Sequence, residues 1–241
     1  MPAPSAATPL TWSLVVPVKV LARAKSRLAS LAGPDRPALA LAMAADTVAA
    51  ALACPEVSRV IVVTDDPHAA GVLAGLGAIV VAERADRGLN PALRHGAGHA
   101  RAHWPESGVG ALAADLPALR PGELGAALLL AAQWPQAFVP DAAGSGTTLY
   151  TVVPGIVFRP RFGPASAARH RAAGAVEIAH PGLASLRRDV DEAADLRGAG
   201  DLGLGTRTAA VAGRLAARTR DSPACQRPPG DCWPGTADRD R

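Results

Sequence analysis

"RVIVVTDDPHAAGVLAGLGAIVVAE", residues 59–83, decides the fold. Its opening, "RVIVVTD" (59–65), is an apolar run without polar alternation. Such a strand is buried on both faces, as in a parallel sheet covered by helices. "PHAAGVLAGL" then reads as a helix, and "GAIVVAE" (77–83) as the next strand. Upstream, "SLVVPV" (13–18) reads as a strand. "RPALALAMAADTVAAALA" (36–53) reads as a helix, with Asp35 as N-cap and Pro37 in the first turn. Downstream, Asn90 caps a helix opened by Pro91 and running through "ALRHGAGHARAHW". "GVGALAADLP" (108–117) is a strand, "PGELGAALLLAAQ" (121–133) a helix and "QAFVPD" (136–141) a strand. Repeated βα alternation predicts a doubly wound α/β sandwich, mostly parallel, with helices on both faces. Ligands in such sheets bind beyond the carboxyl ends of the strands.

After about residue 140 the rhythm changes. "GSGTTLYTVVPG" is a Gly/Thr loop entering a strand, and "RPRFGPASAARHRAAGA" is a loop followed by a short helix starting near Ser166. "VEIAH" and "LRRDVD" read as short strands, and a final helix begins near Glu192. From about Asp221 the chain turns Pro-, Gly- and charge-rich, which predicts disorder. The expected organisation is a flexible start (1–11), one domain (12–215) and a disordered tail (216–241).

The 241 residues suffice for a sizeable core, and at 49% hydrophobic the chain as a whole is not a disordered one. The net charge of +4 comes from scattered arginines rather than a basic stripe, which points to a small anionic ligand and away from nucleic acid. Three cysteines, Cys54, Cys225 and Cys232, include no CxxC pair and give no disulfide framework. The N-terminus has no signal-peptide pattern, and the longest apolar segment, 38–53, is broken by Asp46 and Thr47 and is too short to span a bilayer. The expectation is a soluble cytoplasmic protein with no membrane contact.

Five places carry chemistry. Lys19, Lys25 and Arg27 follow the first strand in "VVPVKVLARAKSRLA", a cationic strand end suited to phosphates or simply a solvated helix start. It is not a P-loop, since it holds no glycine. Asp115 ends an apolar strand, where a carboxylate either ligates Mg²⁺ or caps the turn before Pro117. Asp189 and Asp191, two apart in an expected strand, face the same way, and a cation would relieve their repulsion. Asp191 is alternatively the N-cap of the last helix. Thr147 and Thr148 offer hydroxyls in "GSGTT"; Gly163 and Ser166, at a helix start beside Arg161, Arg169 and Arg171, suit a small acid. His95, His99 and His103 share a helix face and read as a surface stripe rather than a metal set. Cys54 reads as core, and no GxSxG elbow exists.

Six ordered segments, "VVPVKVLARAKSRLA", "DRGLNPALRHG", "AADLPAL", "GSGTTLYT", "RFGPASAARHRAAGAVEI" and "RRDVDEAADL", resemble the phosphoenolpyruvate/2-phospho-L-lactate guanylyltransferases of coenzyme F-420 biosynthesis. The resemblance spans about residues 12 to 215. It implies a nucleotidyltransferase fold of the nucleotide-diphospho-sugar transferase type. It implies transfer of GMP from GTP to a phospho-acid, phosphoenolpyruvate in actinobacterial members, giving enolpyruvoyl-2-diphospho-5'-guanosine and pyrophosphate. 2-Phospho-L-lactate, 3-phosphoglycerate and a non-catalytic nucleotide-binding module are the alternatives. It places the acceptor at Thr147, Gly163 and Ser166 and Mg²⁺ at Asp115 with Asp189 or Asp191. Lys19, Lys25 and Arg27 are then expected on the β- and γ-phosphates, Asn90 on the nucleoside, and a downstream transferase as recipient of the product. A molybdopterin or sugar-phosphate enzyme of the same fold is disfavoured because the glycine-rich "LAGGxSxRMG"-like loop is missing. The tail with Cys225 and Cys232 departs from the family, and nothing transfers to it.

Overall fold

The apolar runs of the sequence form one sheet. Its strands are β1 (Trp12–Pro17), β2 (Val57–Val63), β3 (Ile79–Val81), β4 (Gly108–Leu112), β5 (Gln136–Pro140), β6 (Thr147–Val152) and β7 (Val176–Glu177). A computed structural model describes residues 10–83 and 88–221; most of the expected flexible start, and the tail with Cys225 and Cys232, lie outside the described residues. The strand order is β3-β2-β1-β4-β6-β5-β7. β1 pairs parallel with β2 and β4, with Val15 opposite both Ile61 and Ala111. β2 pairs parallel with β3, and β5 with β7. Among the described residues β6 alone runs antiparallel, between β4 and β5.

Helices cover both faces: α1 (Ala29–Ala32), α2 (Arg36–Leu52), α3 (Pro67–Gly75), α4 (Leu89–His103), α5 (Pro121–Ala131), α6 (Ser166–Ala172), α7 (Ala184–Arg187), α8 (Ala193–Leu202) and α9 (Thr206–Asp221). Alternate residues of one strand serve two cores, because successive side chains point to opposite faces. Leu14 and Val16 pack with α2 and α5 residues such as Val48 and Leu128. Val15, Ile61 and Val63 pack with Ala92, Leu93 and Ala97 of α4. α4 comes so close that a Cβ on Gly96 would stand 2.5 Å from Val15 Cγ1 and 2.8 Å from Val63 Cγ2. A third cluster joins Leu39 and Met43 of α2 to Leu196 of α8 and Val211 and Leu215 of α9.

Several expectations change. "LRRDVD" is not a strand: α7 takes Leu186 and Arg187, and residues 188–190 are irregular, so Asp189 and Asp191 are not placed by a strand's two-residue period. The final helix is two helices, broken at Gly203 (φ 91°), and the second runs to Asp221, past the expected boundary at 215. Glu192, not Asp191, caps α8, through a reciprocal capping box with Asp195. Asp35 makes no cap hydrogen bond, because a 3₁₀ turn (Gly33–Asp35) feeds straight into α2; it pairs with Arg218 instead. Gly88, with φ 92°, precedes α4, so Asn90 lies inside the helix rather than at its cap. No helix among the described residues is long and apolar enough to cross a membrane.

The topology fixes one functional edge. β1, β4 and β5 all end on it, and β6, running the other way, begins on it. The chain winds outward through β2 and β3 on one side of β1 and continues through β4 on the other. Ligand clefts open at such a reversal of winding.

Candidate active site

A cleft of about 820 Å³ opens at this edge, and Lys19, Lys25, Arg27, Asp115, Thr147, Gly163, Ser166, Asp189 and Asp191 line it; Asn90, Thr148, Arg161, Arg169, Arg171, Cys54 and the three α4 histidines do not. The loop after β1 brings Lys19, Lys25 and Arg27; the turn after β4 brings Asp115; the segment before α8 brings Asp189 and Asp191; the start of β6 brings Thr147; the loop into α6 brings Gly163 and Ser166.

The cationic loop is built to hold one shape. Arg36 donates to the carbonyls of Ala24 and, at 2.8 Å, Ala22. Asp66 caps α3 and also accepts the Leu21 N–H at 2.9 Å. Lys25 itself has φ 53° and ψ 45°, a left-handed backbone rare for a lysine. Its ammonium bridges Asp115 and, at 2.8 Å, Asp191. Burial alone would lower its pKa, but the two carboxylates outweigh burial and raise it, so Lys25 is charged. Lys19 is exposed, and Arg27, 70% exposed, stands 3.7 Å from Glu192.

The acids are held by backbone. Thr47 of α2 accepts the Leu116 N–H at 3.0 Å and contacts the Ala114 carbonyl at 3.3 Å, fixing the turn on both sides of Asp115. The Val190 N–H donates to the Asp115 carbonyl at 3.1 Å, joining the two acidic segments. Asp189 is pushed up to about 7 by burial and by the nearby Asp115, Asp141 and Asp191 carboxylates. Asp191 is held below the usual carboxylate range: burial opposes this, and the charge and hydrogen bond of Lys25 overcome it.

The opposite wall carries hydroxyls. Asp141 accepts the N–H groups of Ser145 and Gly146, at 2.9 and 2.8 Å, and so shapes the Gly/Ser loop before Thr147. Thr147 Oγ1 lies 3.1 Å from Ser166 Oγ and 3.0 Å from His170 Nδ1. Thr148, next along β6, points to the other face, its hydroxyl 3.5 Å from the Val139 carbonyl. Gly163, at φ 115°, takes a turn that a side chain would strain. α6 has only seven residues, so what this wall offers is hydroxyls and loop N–H groups rather than a long helix end. Asn90 is off the cleft, and its carboxamide is committed to Phe162, donating to its carbonyl at 2.9 Å and accepting its N–H at 2.8 Å. It fastens the Gly163 loop to α4 from outside the cleft, using one carboxamide proton and one oxygen lone pair.

Hard carboxylate oxygens at Asp115, Asp189 and Asp191 suit Mg²⁺, which takes one or two carboxylates and completes its shell with phosphate and water oxygens. Among the described residues no group of three or more His, Cys, Asp and Glu forms a ready metal cage. The acids instead bracket the Lys25 ammonium, and Asp189 is short of positive charge. The residues therefore fit an ion that arrives with its phosphates.

Reading the sequence missed Asp141, Thr47 and His170. Asp141 ends the expected strand 136–141, three residues before "GSG", a signal that was available; Thr47 and His170 act through contacts distant in sequence. His99 and His103 stack at 4.3 Å on the solvent side of α4, away from the cleft. Cys54 is buried and its thiol is pushed up to about 12 by burial and the neighbouring Glu56, as expected of a core residue.

The family model "Guanylyl transferase CofC like" matches residues 12–180. A phosphoenolpyruvate guanylyltransferase of Thermomonospora curvata is 65% identical over 208 residues, covering 86% of this chain and 91% of that protein. One from Streptomyces coelicolor is 61% identical over 207 residues, covering 86% and 98%. Among solved structures, a protein of Desulfovibrio desulfuricans G20 described as a nucleotide-diphospho-sugar transferase superposes with TM-score 0.66 at 16% identity, covering 87% of this chain and 96% of that one. A nucleotidyl transferase from Methanothermobacter thermautotroptrophicus gives 0.50 at 19%, covering 80% and 97%. At such identities the structural likeness speaks for the fold, which is that of the nucleotide-diphospho-sugar transferases.

Proposed function

This chain belongs to the CofC-like guanylyl transferase family, and from that premise we propose that it transfers GMP from GTP to phosphoenolpyruvate in coenzyme F-420 biosynthesis. The products are enolpyruvoyl-2-diphospho-5'-guanosine and pyrophosphate. The observation that carries the reading is the pairing, across one cleft, of an ion-paired Lys25–Asp115–Asp191 group with the Thr147–Ser166 hydroxyls.

The acceptor phosphate is already an anion and needs no general base. One of its oxygens bonds to the α-phosphorus, the bond to the β-phosphate oxygen breaks, and that electron pair leaves with pyrophosphate. The obstacle is repulsion between two anions, so catalysis is positioning and charge neutralisation. Lys25, fixed by Arg36 and Asp66 through its loop, holds the triphosphate, with exposed Lys19 and Arg27 toward its β and γ ends. Thr147, Ser166 and the Gly163 turn seat the acceptor. Asp115, Asp189 and Asp191 would hold Mg²⁺, which would supply positive charge against the repulsion of the two anions. The reaction takes place in the cytoplasm, and the product passes to a downstream transferase.

Pyrophosphate release by the purified protein with Mg²⁺ and GTP tests this, adding phosphoenolpyruvate, 2-phospho-L-lactate or 3-phosphoglycerate in turn. A parallel set contains the downstream transferase and its deazaflavin substrate. Release that needs GTP and phosphoenolpyruvate is expected. Release with another acid would rename the acceptor, and GTP binding without release in either set would sink the enzymatic reading. Asp115→Ala should cost at least about 100-fold in turnover while the melting temperature holds.

A further inference from the structure

Behind the acceptor wall lies His170, with no solvent exposure. Its ring stacks on Tyr150, centroids 4.6 Å apart, with Phe138 and Phe162 at 5.7 and 5.4 Å. The two ring nitrogens have different partners. The Arg161 backbone N–H lies 2.9 Å from Nε2, and Thr147 Oγ1 lies 3.0 Å from Nδ1. A backbone N–H only donates, so Nε2 accepts, and the proton of the neutral ring is on Nδ1, directed at Thr147. A cationic ring would set a second N–H against that of Arg161. Burial, helped by the Arg169 and Arg161 charges, holds the ring pKa down to about 4, in the same sense, against an opposing hydrogen bond from the ring to the Ser166 backbone.

The tautomer decides what the cleft is offered. Thr147 Oγ1 is also 3.1 Å from Ser166 Oγ. Three protons, on His170 Nδ1, Thr147 and Ser166, serve two hydrogen bonds, and among the described residues neither hydroxyl has another acceptor. One hydroxyl proton is therefore left over. Thr147 and Ser166 line the cleft and His170 does not, so the spare proton goes to the cleft. With the other tautomer Ser166 would donate to Thr147 and Thr147 to His170. Every proton would then be used, and the wall would show an acid only lone pairs.

We propose that His170 is a positioning residue, locked by the Arg161 backbone with its proton on Nδ1, that fills Thr147 from behind so that the Thr147–Ser166 pair presents a donor to an anionic oxygen of the acceptor. This rests on the reading that the acceptor sits against Thr147, Gly163 and Ser166.

Two measurements test it. Nitrogen-15 spectra of histidine-labelled protein at pH 7 should show the His170 ring protonated at Nδ1 and bare at Nε2, identified by loss of the signals in His170→Phe. A ring protonated at Nε2 overturns the proposal whatever the enzyme does. Kinetically, His170→Phe keeps a ring against Tyr150 and removes both nitrogens. The KM for phosphoenolpyruvate should rise about tenfold, while the KM for GTP stays within about twofold. His170→Asn, whose amide N–H stands near the Nδ1 position, should recover part of the loss, and it takes over the test if the Phe variant does not fold. In a Thr147→Val background the His170 substitution should add nothing, since it acts through Thr147. Equal rises in both KM values, or effects that multiply, would assign His170 to folding alone. Wild-type protein that ignores phosphoenolpyruvate would take down the functional reading and this inference together; normal wild-type turnover with unmoved variants overturns only the role of His170.

Discussion

Lys25 adopts a left-handed backbone that costs a non-glycine residue about 1–2 kcal/mol, and in return its ammonium stands between Asp115 and Asp191. Lys25→Met should lower turnover about 100-fold. It also leaves the acids facing each other, so added Mg²⁺ should raise the melting temperature more in this variant than in the wild type, as thermal scans with and without the ion would show. His170 gives a pH signature. Its folded pKa of about 4 lies below its ordinary value of 6.5. Above pH 6.5 both states are neutral there and the folded state loses nothing. As pH falls toward 4 the unfolded chain takes a proton that the buried ring refuses, so stability declines, by about 3 kcal/mol in all. The fall in melting temperature between pH 7 and 4.5 should be smaller in His170→Phe; an equal fall in both proteins would mean that the ring is not the group responsible. At this scale the sequence shows which residues carry charge at strand ends, so Lys19, Lys25, Arg27 and Asp115 are legible. His170 is not, because its importance lies in a backbone N–H on one side and a threonine on the other.

α2 shows how an element can be read correctly and still be underestimated. Asp46 and Thr47 interrupt an apolar helix, and in sequence they argue only against a membrane span. In the fold each has a partner from a distant segment. Thr47 pins the Asp115 turn, and Asp46, 7% exposed, accepts the Thr208 N–H at 2.7 Å and the Arg207 N–H at 3.3 Å at the start of α9. Asp46→Ala removes this borrowed cap and should destabilise by about 2 kcal/mol, read in urea unfolding. Thr47→Val should leave the midpoint closer to wild type but depress turnover, because it steadies the turn of Asp115, on which the proposed reaction depends. α4 rests on Gly96, where the helix meets the sheet without room for a Cβ. Gly96→Val should destabilise by about 3 kcal/mol or prevent folding. The irregular backbone around Asp189 was not legible, because two aspartates at i and i+2 look the same in a strand or a loop. What places them is the Val190 N–H on the Asp115 carbonyl, a contact between segments far apart in the chain.

At the scale of the whole molecule, the parallel part of the sheet was readable because buried parallel strands are unbroken apolar runs, and β4, β1 from Leu14 and β2 from Val60 are such runs. The reversed direction of β6 was not, since a strand's polarity relative to its neighbours leaves no mark in its own composition. That reversal has a further consequence. On the proposed reaction, the nucleotide side of the cleft comes from the β1 and β4 ends, and the acceptor side comes almost wholly from one later stretch, the β5–β6 hairpin with the loop into α6. The two sides are separate stretches of the chain, joined where β6 pairs with β4 and where Asn90 holds the loop before Gly163. On that reading residues 141–172 are the stretch to exchange when a new acceptor is wanted, provided the graft keeps the β6 edge that β4 pairs with and the Asp141 charge that Asp189 feels.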